Sequence, residues 1–348
     1  MLKKTVSTLL ALVILASFGL LAACSSGPSI KVYNWEDYID DEVIKEFTEE
    51  TGIKVNYTRF TTNEDMYTKL VKGGGNYDVV FPSDYMIERL VAEDELLTLD
   101  YSKLPNAANT MAHLQNPAYD PDGAHSVAYM WGTVGILYNE TKTGGPITSW
   151  TSMWDDQFKD NVLMMDSIRD TLGVTLKMLG HSLNTSDEAH LQEAKSALID
   201  QRERGIVMAY GVDDIKDKME NNEAALGMVW SGDALTTMEK NADLCYVVPD
   251  EGSNMWVDGM VIPKSSKNVD GAHAFINFLL RADIAARNSE YIGYSTPNAP
   301  ALEILGDDYT EDETFNPPQD VIDRCEFLHD LKADGLALYN RMWLEIKK

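Results

Sequence analysis

Short apolar runs and helical stripes alternate along the chain from Ile30 onward. Ile30-Lys31-Val32-Tyr33 reads as a strand, and a helix follows it with Val43, Ile44 and Phe47 on one face. Asp40 or Asp41 is placed to cap that helix and Thr51-Gly52 to end it. Residues 53–57 alternate as a second strand. Asn63 opens a helix carrying Met66, Tyr67, Leu70 and Val71, which Gly73-Gly74-Gly75 halts. The apolar run 77–81 has the character of a buried strand closed by Pro82-Ser83-Asp84, and another helix turns Met86, Ile87, Leu90 and Val91 inward. Strands alternating with helices imply βαβ units and a parallel sheet.

Farther on, 127–138 (VAYMWGTVGILY) predicts a long strand with Gly132 and Gly135 as places to bend. Residues 150–205 predict mostly helix, broken at 161–166. Strands are expected at 225–230, 244–248 and 254–263, a helix at 272–280 and a mostly helical end at 318–348. There is no repeat and no low-complexity tract.

This geometry has a chemical consequence. In an open parallel sheet ligands bind beyond the carboxyl ends of the strands. The loops at 35–38 and 83–85 each follow a strand end, so both face one edge of the sheet. Those ends share a flavour: Trp35-Glu36-Asp37-Tyr38, Ser83-Asp84-Tyr85, Trp230 with Asp233, and Trp256 with Asp258 each set an aromatic ring beside a carboxylate. Aromatic faces hold ammonium groups and stack on methylenes, and carboxylates supply charge-assisted hydrogen bonds. A lone tryptophan at a strand end is ordinary core. A lone loop aspartate is an ordinary cap, and Asp233 can cap a helix starting at Ala234. Four such pairs together point to a cleft for a linear cationic amine.

Charge supports that reading. The chain has 348 residues, with 29 Lys and Arg against 56 Asp and Glu, a net charge of −27. Such a surface repels nucleic acid and attracts cations. The length fits two domains of ordinary size. Residues 1–23 read as a signal segment: Lys3 and Lys4 precede an apolar run at 9–21, which ends in Leu21-Ala22-Ala23-Cys24. That tetrapeptide resembles a bacterial lipobox with Cys24 lipidated, leaving 24–29 as a tether; an uncleaved anchor helix is the alternative. Cys245 and Cys325 remain for a disulfide whose pairing stays open.

Catalysis has little support. Asp37 and Asp258 as acid and base of a glycosidase-like cleft are the one enzymatic arrangement to weigh. No G-x-S-x-G, H-E-x-x-H, P-loop or G-x-G-x-x-G is present, and the six histidines are scattered, so neither cofactor nor metal is expected.

The segments VYNWEDYI, ETGIKV, YDVVFPSDY, LGMVWSGDA, WVDGMVIP, FINFLL and IGYSTPN resemble, in order, those of the spermidine/putrescine-binding proteins of ABC importers. The resemblance implies an α/β, bilobal type II periplasmic-binding-protein fold. Each lobe holds a mixed, mainly parallel sheet flanked by helices, with a two-strand hinge near 131–135 and 257–260. Lobe 1 is then 30–132 plus 259–305, and lobe 2 is 133–258 plus 306–348. It implies a ligand-binding set of Trp35, Glu36, Asp37, Tyr38, Ser83, Tyr85, Asp170, Trp230, Asp233, Trp256, Asp258 and Tyr294. Asp258 and Asp37 would neutralise ammonium ends, Asp170 or Asp233 would hold another amine, and the rings would flank the methylenes.

Three positions depart from the pattern. Ser167 stands where spermidine-binding relatives can carry an acid, Leu328 where one carries an amide, and Asp233 where that relative has a small polar residue, as in putrescine-binding relatives. Diamine-versus-triamine preference is therefore open. The implied partners are a polyamine, the permease subunits of an ABC importer and, through the N-terminal lipid, the bacterial cell membrane from outside the cytoplasm. The protein is expected as a monomer. Capture of another cationic small molecule, or a polyamine-sensing receptor, are the alternatives.

Overall fold

Strand β1 (Ser29–Trp35) buries Ile30 and Val32 on one face and Tyr33 on the other. Both of its faces are therefore covered, as a central parallel strand requires. The side chain of Asp40 accepts from the Glu42 N–H and caps the Asp41–Thr51 helix, which buries Val43 and Phe47 and ends at Gly52 with φ 70°. That left-handed value favours glycine. The chain returns as β2 (Lys54–Phe60), parallel to β1, and later as β3 (Val79–Val80), parallel on its other side. The computed structural model describes residues 27–36 and 38–348. The signal segment, Cys24 with the next two residues of the tether, and Asp37 lie outside the described residues.

Strand β4 (Ser126–Asn139) joins two sheets, and all fourteen of its residues are buried. Its first half pairs antiparallel with β9 (Met255–Val261). Its second half pairs with β7 (Leu226–Trp230) and β8 (Leu244–Val247). The first sheet runs β2-β1-β3-β9-β4. The second continues from β4 through β7 to β5 (Val162–Met165) and β6 (Val207–Gly211), which are parallel to one another. The molecule is bilobal, with each lobe an α/β layer structure around its own sheet. Gly132 lies in β4 where the two sheets meet. A Cβ there would come within 2.7 Å of both the Ser231 hydroxyl and the Trp256 ring.

The chain passes back to the first sheet between Val247 and Met255, ahead of the 257–260 crossing expected. Residues 257–260 are already paired with β4. The expected break at 161–166 is itself β5. Four apolar residues buried on both faces carry no alternation to reveal a strand. The terminal Lys332–Ile346 helix packs on the second lobe, where Lys195 pairs with Glu345 at 2.9 Å. Cys245 and Cys325 are both free.

Next to the two-residue strand β3, Asp78 is tied to β1 by its backbone N–H, which donates to the Lys31 carbonyl at 2.7 Å, and by its side chain. One oxygen of the buried Asp78 carboxylate accepts from the Lys31 N–H at 2.8 Å. The other accepts from the Ser266 hydroxyl and the N–H groups of Lys267 and Asn268, at 2.7–2.9 Å. This ties β1 to the turn that starts the Val269–Leu279 helix. Asp78→Ala leaves three backbone donors without their acceptor, at roughly 1–3 kcal/mol per buried group. Urea unfolding should show a loss of about 3 kcal/mol or more; a loss below about 1 kcal/mol would contradict this role.

Candidate functional site

The site forms where β1, β3 and β9 bring loops together. Ser83, just past β3, bridges to Asp258 in β9, and the Gly259 N–H donates to the Pro82 carbonyl at 2.9 Å. The Asp258 carboxylate, 7% exposed, accepts from the Tyr38 hydroxyl at 2.7 Å on one oxygen and from the Ser83 hydroxyl at 2.6 Å on the other. It forms no ion pair with a side chain of the described residues. Burial pushes its pKa up to about 6, against the pull of the two hydroxyls.

Around it the rings form a wall. Tyr38 meets Tyr129 and Tyr294 edge to face, at 5.7 and 6.0 Å between centroids, and Trp256 meets Tyr294 at 5.1 Å. The Tyr129 hydroxyl donates to the Tyr38 carbonyl and fixes the loop after β1. Trp35 packs on Phe60 at the far end of β1. Tyr294 also reaches the second lobe: its ring lies over Gly232, leaving no room for a Cβ. Burial raises the Tyr294 phenol well above its usual range, followed by the charges of Asp233 and then Asp258. Tyr294 therefore lies within electrostatic reach of both acids.

Asp170 sits in the first turn of the Ile168–Met178 helix and is raised by burial. Its oxygens accept from the Ser167 hydroxyl at 2.6 Å and the Asn254 amide at 2.8 Å. Ser167 thus serves as helix cap and donor to Asp170 at once. Trp230 ends β7 and is itself the N-cap residue of the Ser231–Met238 helix. Asp233 lies inside that helix's first turn rather than capping it, and accepts from Lys216 at 3.0 Å. Tyr85 is held by Asn63, while Glu36 is exposed.

Four further residues belong to this neighbourhood. Asn63 donates to both the Ser83 and Tyr85 hydroxyls and so aims Ser83 at Asp258. Asp84, almost fully buried, accepts from the Tyr85 and Val257 N–H groups. Burial first, and then the Asp258 charge, raises its pKa well above the usual range. Asn254 carries a buried side-chain oxygen with no donor among the described residues. Lys216 is the fourth. Asn63 was visible in the sequence only as a helix start, and Asp84 as the carboxylate of the Ser83-Asp84-Tyr85 pair but not as a ligand contact; nothing there marked Asn254 or Lys216.

The chain is similar along most of its length to known solute-binding proteins. Residues 42–317 match the model of the bacterial extracellular solute-binding protein family. The spermidine/putrescine-binding periplasmic protein of Salmonella typhimurium is 35% identical over 337 residues, 95% of each chain. The putrescine-binding periplasmic protein SpuD of Pseudomonas aeruginosa is 30% identical over 366 residues, covering 100% of this chain and 99% of its own. Among solved structures, the spermidine/putrescine ABC transporter substrate-binding protein PotD of Streptococcus pneumoniae superposes with a TM-score of 0.84 at 42% identity. It covers 92% of this chain and 98% of its own. The Tp0655 (TpPotD) lipoprotein of Treponema pallidum superposes at 0.80 with 25% identity, covering 91% of this chain and 99% of its own.

The raised pKa of Asp258 is also a statement about stability. Its charged form is disfavoured by folding, so the penalty is absent below the unfolded pKa near 4 and complete above about 6. Asp258→Asn should therefore stabilise the unliganded protein at about pH 7.5, by up to about 3 kcal/mol for two pKa units, and change little at about pH 4. Urea titrations at the two pH values measure this. A variant no more stable than the parent at about pH 7.5 would remove the uncompensated charge from the account.

Proposed function

The chain belongs to the bacterial extracellular solute-binding proteins, and from that premise we propose that it captures a polyamine, spermidine or putrescine, between its lobes for delivery to an ABC importer. The observation that carries this reading is Asp258: a buried carboxylate with two hydroxyl donors and no cation paired to it among the described residues, beside a wall of tyrosine and tryptophan rings. An ammonium supplies the missing charge, and the rings of Tyr38, Trp256 and Tyr294 suit the methylenes. Asp170 and the unpartnered oxygen of Asn254 offer acceptors to a second amine. Each charged contact contributes roughly 1.5–3 kcal/mol, so three account for much of the about −8 kcal/mol of a micromolar complex.

Closure is assigned to rotation of the lobes about β4 near Gly132 and about the connection between β8 and β9, and it would present the closed surface to the permease. Trp35, Glu36, Asp37, Ser83, Tyr85, Trp230 and Asp233 complete the assigned ligand contacts. The protein acts as a monomer without catalysing a reaction, held to the membrane by lipid on Cys24, a reading supported by the lipobox and by a similar protein named as a lipoprotein. Among the described residues no helix is long and apolar enough to cross a membrane.

A second reading has its own observation. The indole N–H groups of Trp35 and Trp256 are buried without acceptors among the described residues, and an amine ligand has none to offer. A cation that also carries an oxygen acceptor would satisfy them.

A thermal-shift panel of putrescine, cadaverine, spermidine, spermine, an amino acid and a hydroxylated amine separates the two readings, since ligand bound only by the folded state raises the midpoint. The polyamines should give the largest shifts. A shift only with the oxygen-bearing cation favours the second reading, and no shift with any amine overturns both. By calorimetry Asp258→Asn should weaken polyamine binding at least tenfold, and parental affinity should fall about tenfold per pH unit below about pH 6 as Asp258 protonates. Unchanged affinity in the variant would remove Asp258 from the site.

A further inference from the structure

Asp233 differs from Asp258 in one respect: its cation comes from the protein. β6 and β7 are both parallel to β5, so the helices that follow them, Asp213–Glu220 and Ser231–Met238, start at the same edge of the second sheet. This brings Lys216 to Asp233, with the ammonium 3.0 Å from one carboxylate oxygen and 3.4 Å from Asp213. The lysine is about one-third exposed and Asp233 half as much, so the pair lies at the rim of buried space. Gly232, the residue before Asp233, lies under the ring of Tyr294, which links this end of the wall to Asp258 through Tyr38.

The wall thus has an unpaired carboxylate at one end and a carboxylate neutralised by a tethered ammonium at the other. A ligand amine directed to Asp233 must displace Lys216, whose amine is held nearby by its own short chain at high effective concentration. Where only one amine is bound, at Asp258, the lysine does not compete.

We propose that Lys216 is a specificity-determining residue, a built-in ammonium that fills the Asp233 subsite and so weakens ligands whose extra amine would reach it. This inference rests on the polyamine reading of the same cleft. It makes the protein favour the diamine relative to what the cleft would bind without the lysine.

Calorimetry with putrescine and spermidine tests it on Lys216→Met, which keeps the apolar stem and removes the charge, on Lys216→Arg, and on the double variant Lys216→Met with Asp233→Asn. Lys216→Met should tighten spermidine at least fivefold and putrescine less than twofold. The double variant should return both affinities to within about twofold of the parent, and Lys216→Arg should keep the parental ratio. An unchanged spermidine-to-putrescine ratio in Lys216→Met, or weaker spermidine binding, overturns the proposal while leaving the polyamine reading standing. If the parent protein binds neither amine, both fall together.

Discussion

A carboxylate kept out of water without a cation of its own is the constraint around which this molecule is arranged. Asp258 is reached by residues following β1, β3 and β9, and each supplies something different: the Tyr38 hydroxyl, the Ser83 hydroxyl and the strand that carries the acid. Hydroxyl donors soften the cost of burying the charge without cancelling it. The remaining cost keeps the site receptive. A lysine in place of Tyr38 or Ser83 would stabilise the empty protein and occupy the position a ligand ammonium would take. Asn63 belongs to the same arrangement, since its amide donates to the Ser83 hydroxyl and leaves that hydroxyl's proton for Asp258.

The other buried acids show graded treatments of the same problem. Asp84, beside Asp258, meets two backbone N–H groups, while burial and then the Asp258 charge raise its pKa. Asp170 is met by a hydroxyl and an amide, and Asp233 by a lysine. Charge compensation therefore increases across the cleft, from hydroxyls alone at Asp258 to a full ion pair at Asp233. A linear cation entering such a gradient has one preferred end.

Much of this was legible from the chain itself. The strands at 225–230 and 244–248 are found within a residue or so of their expected bounds, because an apolar run ending in Trp-Ser-Gly-Asp or Val-Pro-Asp has an unambiguous stop. The aromatic-acid pairs also pointed to where loops gather, since strand ends of a parallel sheet share an edge. Two kinds of information were missing. β5 and β6 are short strands without a clear alternation, and a run such as VLMM has the same composition as a buried helical turn. Pairing across the fold was the other: nothing local connects Lys216 with Asp233, or Asn254 with Asp170, because sheet order makes those contacts. Asp233 illustrates the limit. Its position suggested a helix cap, but the helix begins earlier, at Ser231, and that frees its carboxylate for the lysine.

Under the proposed closure of the lobes on a ligand, the distribution of charge would also couple capture to closing. On that proposal, lobe approach would shut off the remaining access of water to Asp258 and Asp170, already buried, and to Asp233, in a protein of net charge −27. Desolvating several like charges together is unfavourable, and the ring of Tyr294 over Gly232 offsets only part of that by apolar contact. A ligand bearing two or three positive charges would change the sign of the electrostatic contribution at Asp258 and Asp170, which form no ion pair among the described residues, whereas Asp233 already faces Lys216. Affinity for the closed form over the open form comes from that difference, and a conformational equilibrium moves only as far as such a difference carries it. An uncharged molecule of the same length would gain the ring contacts in both forms and leave the charges uncompensated. On the proposed reading the cleft would thus select cations through the energetics of closing as well as through the contacts made once closed.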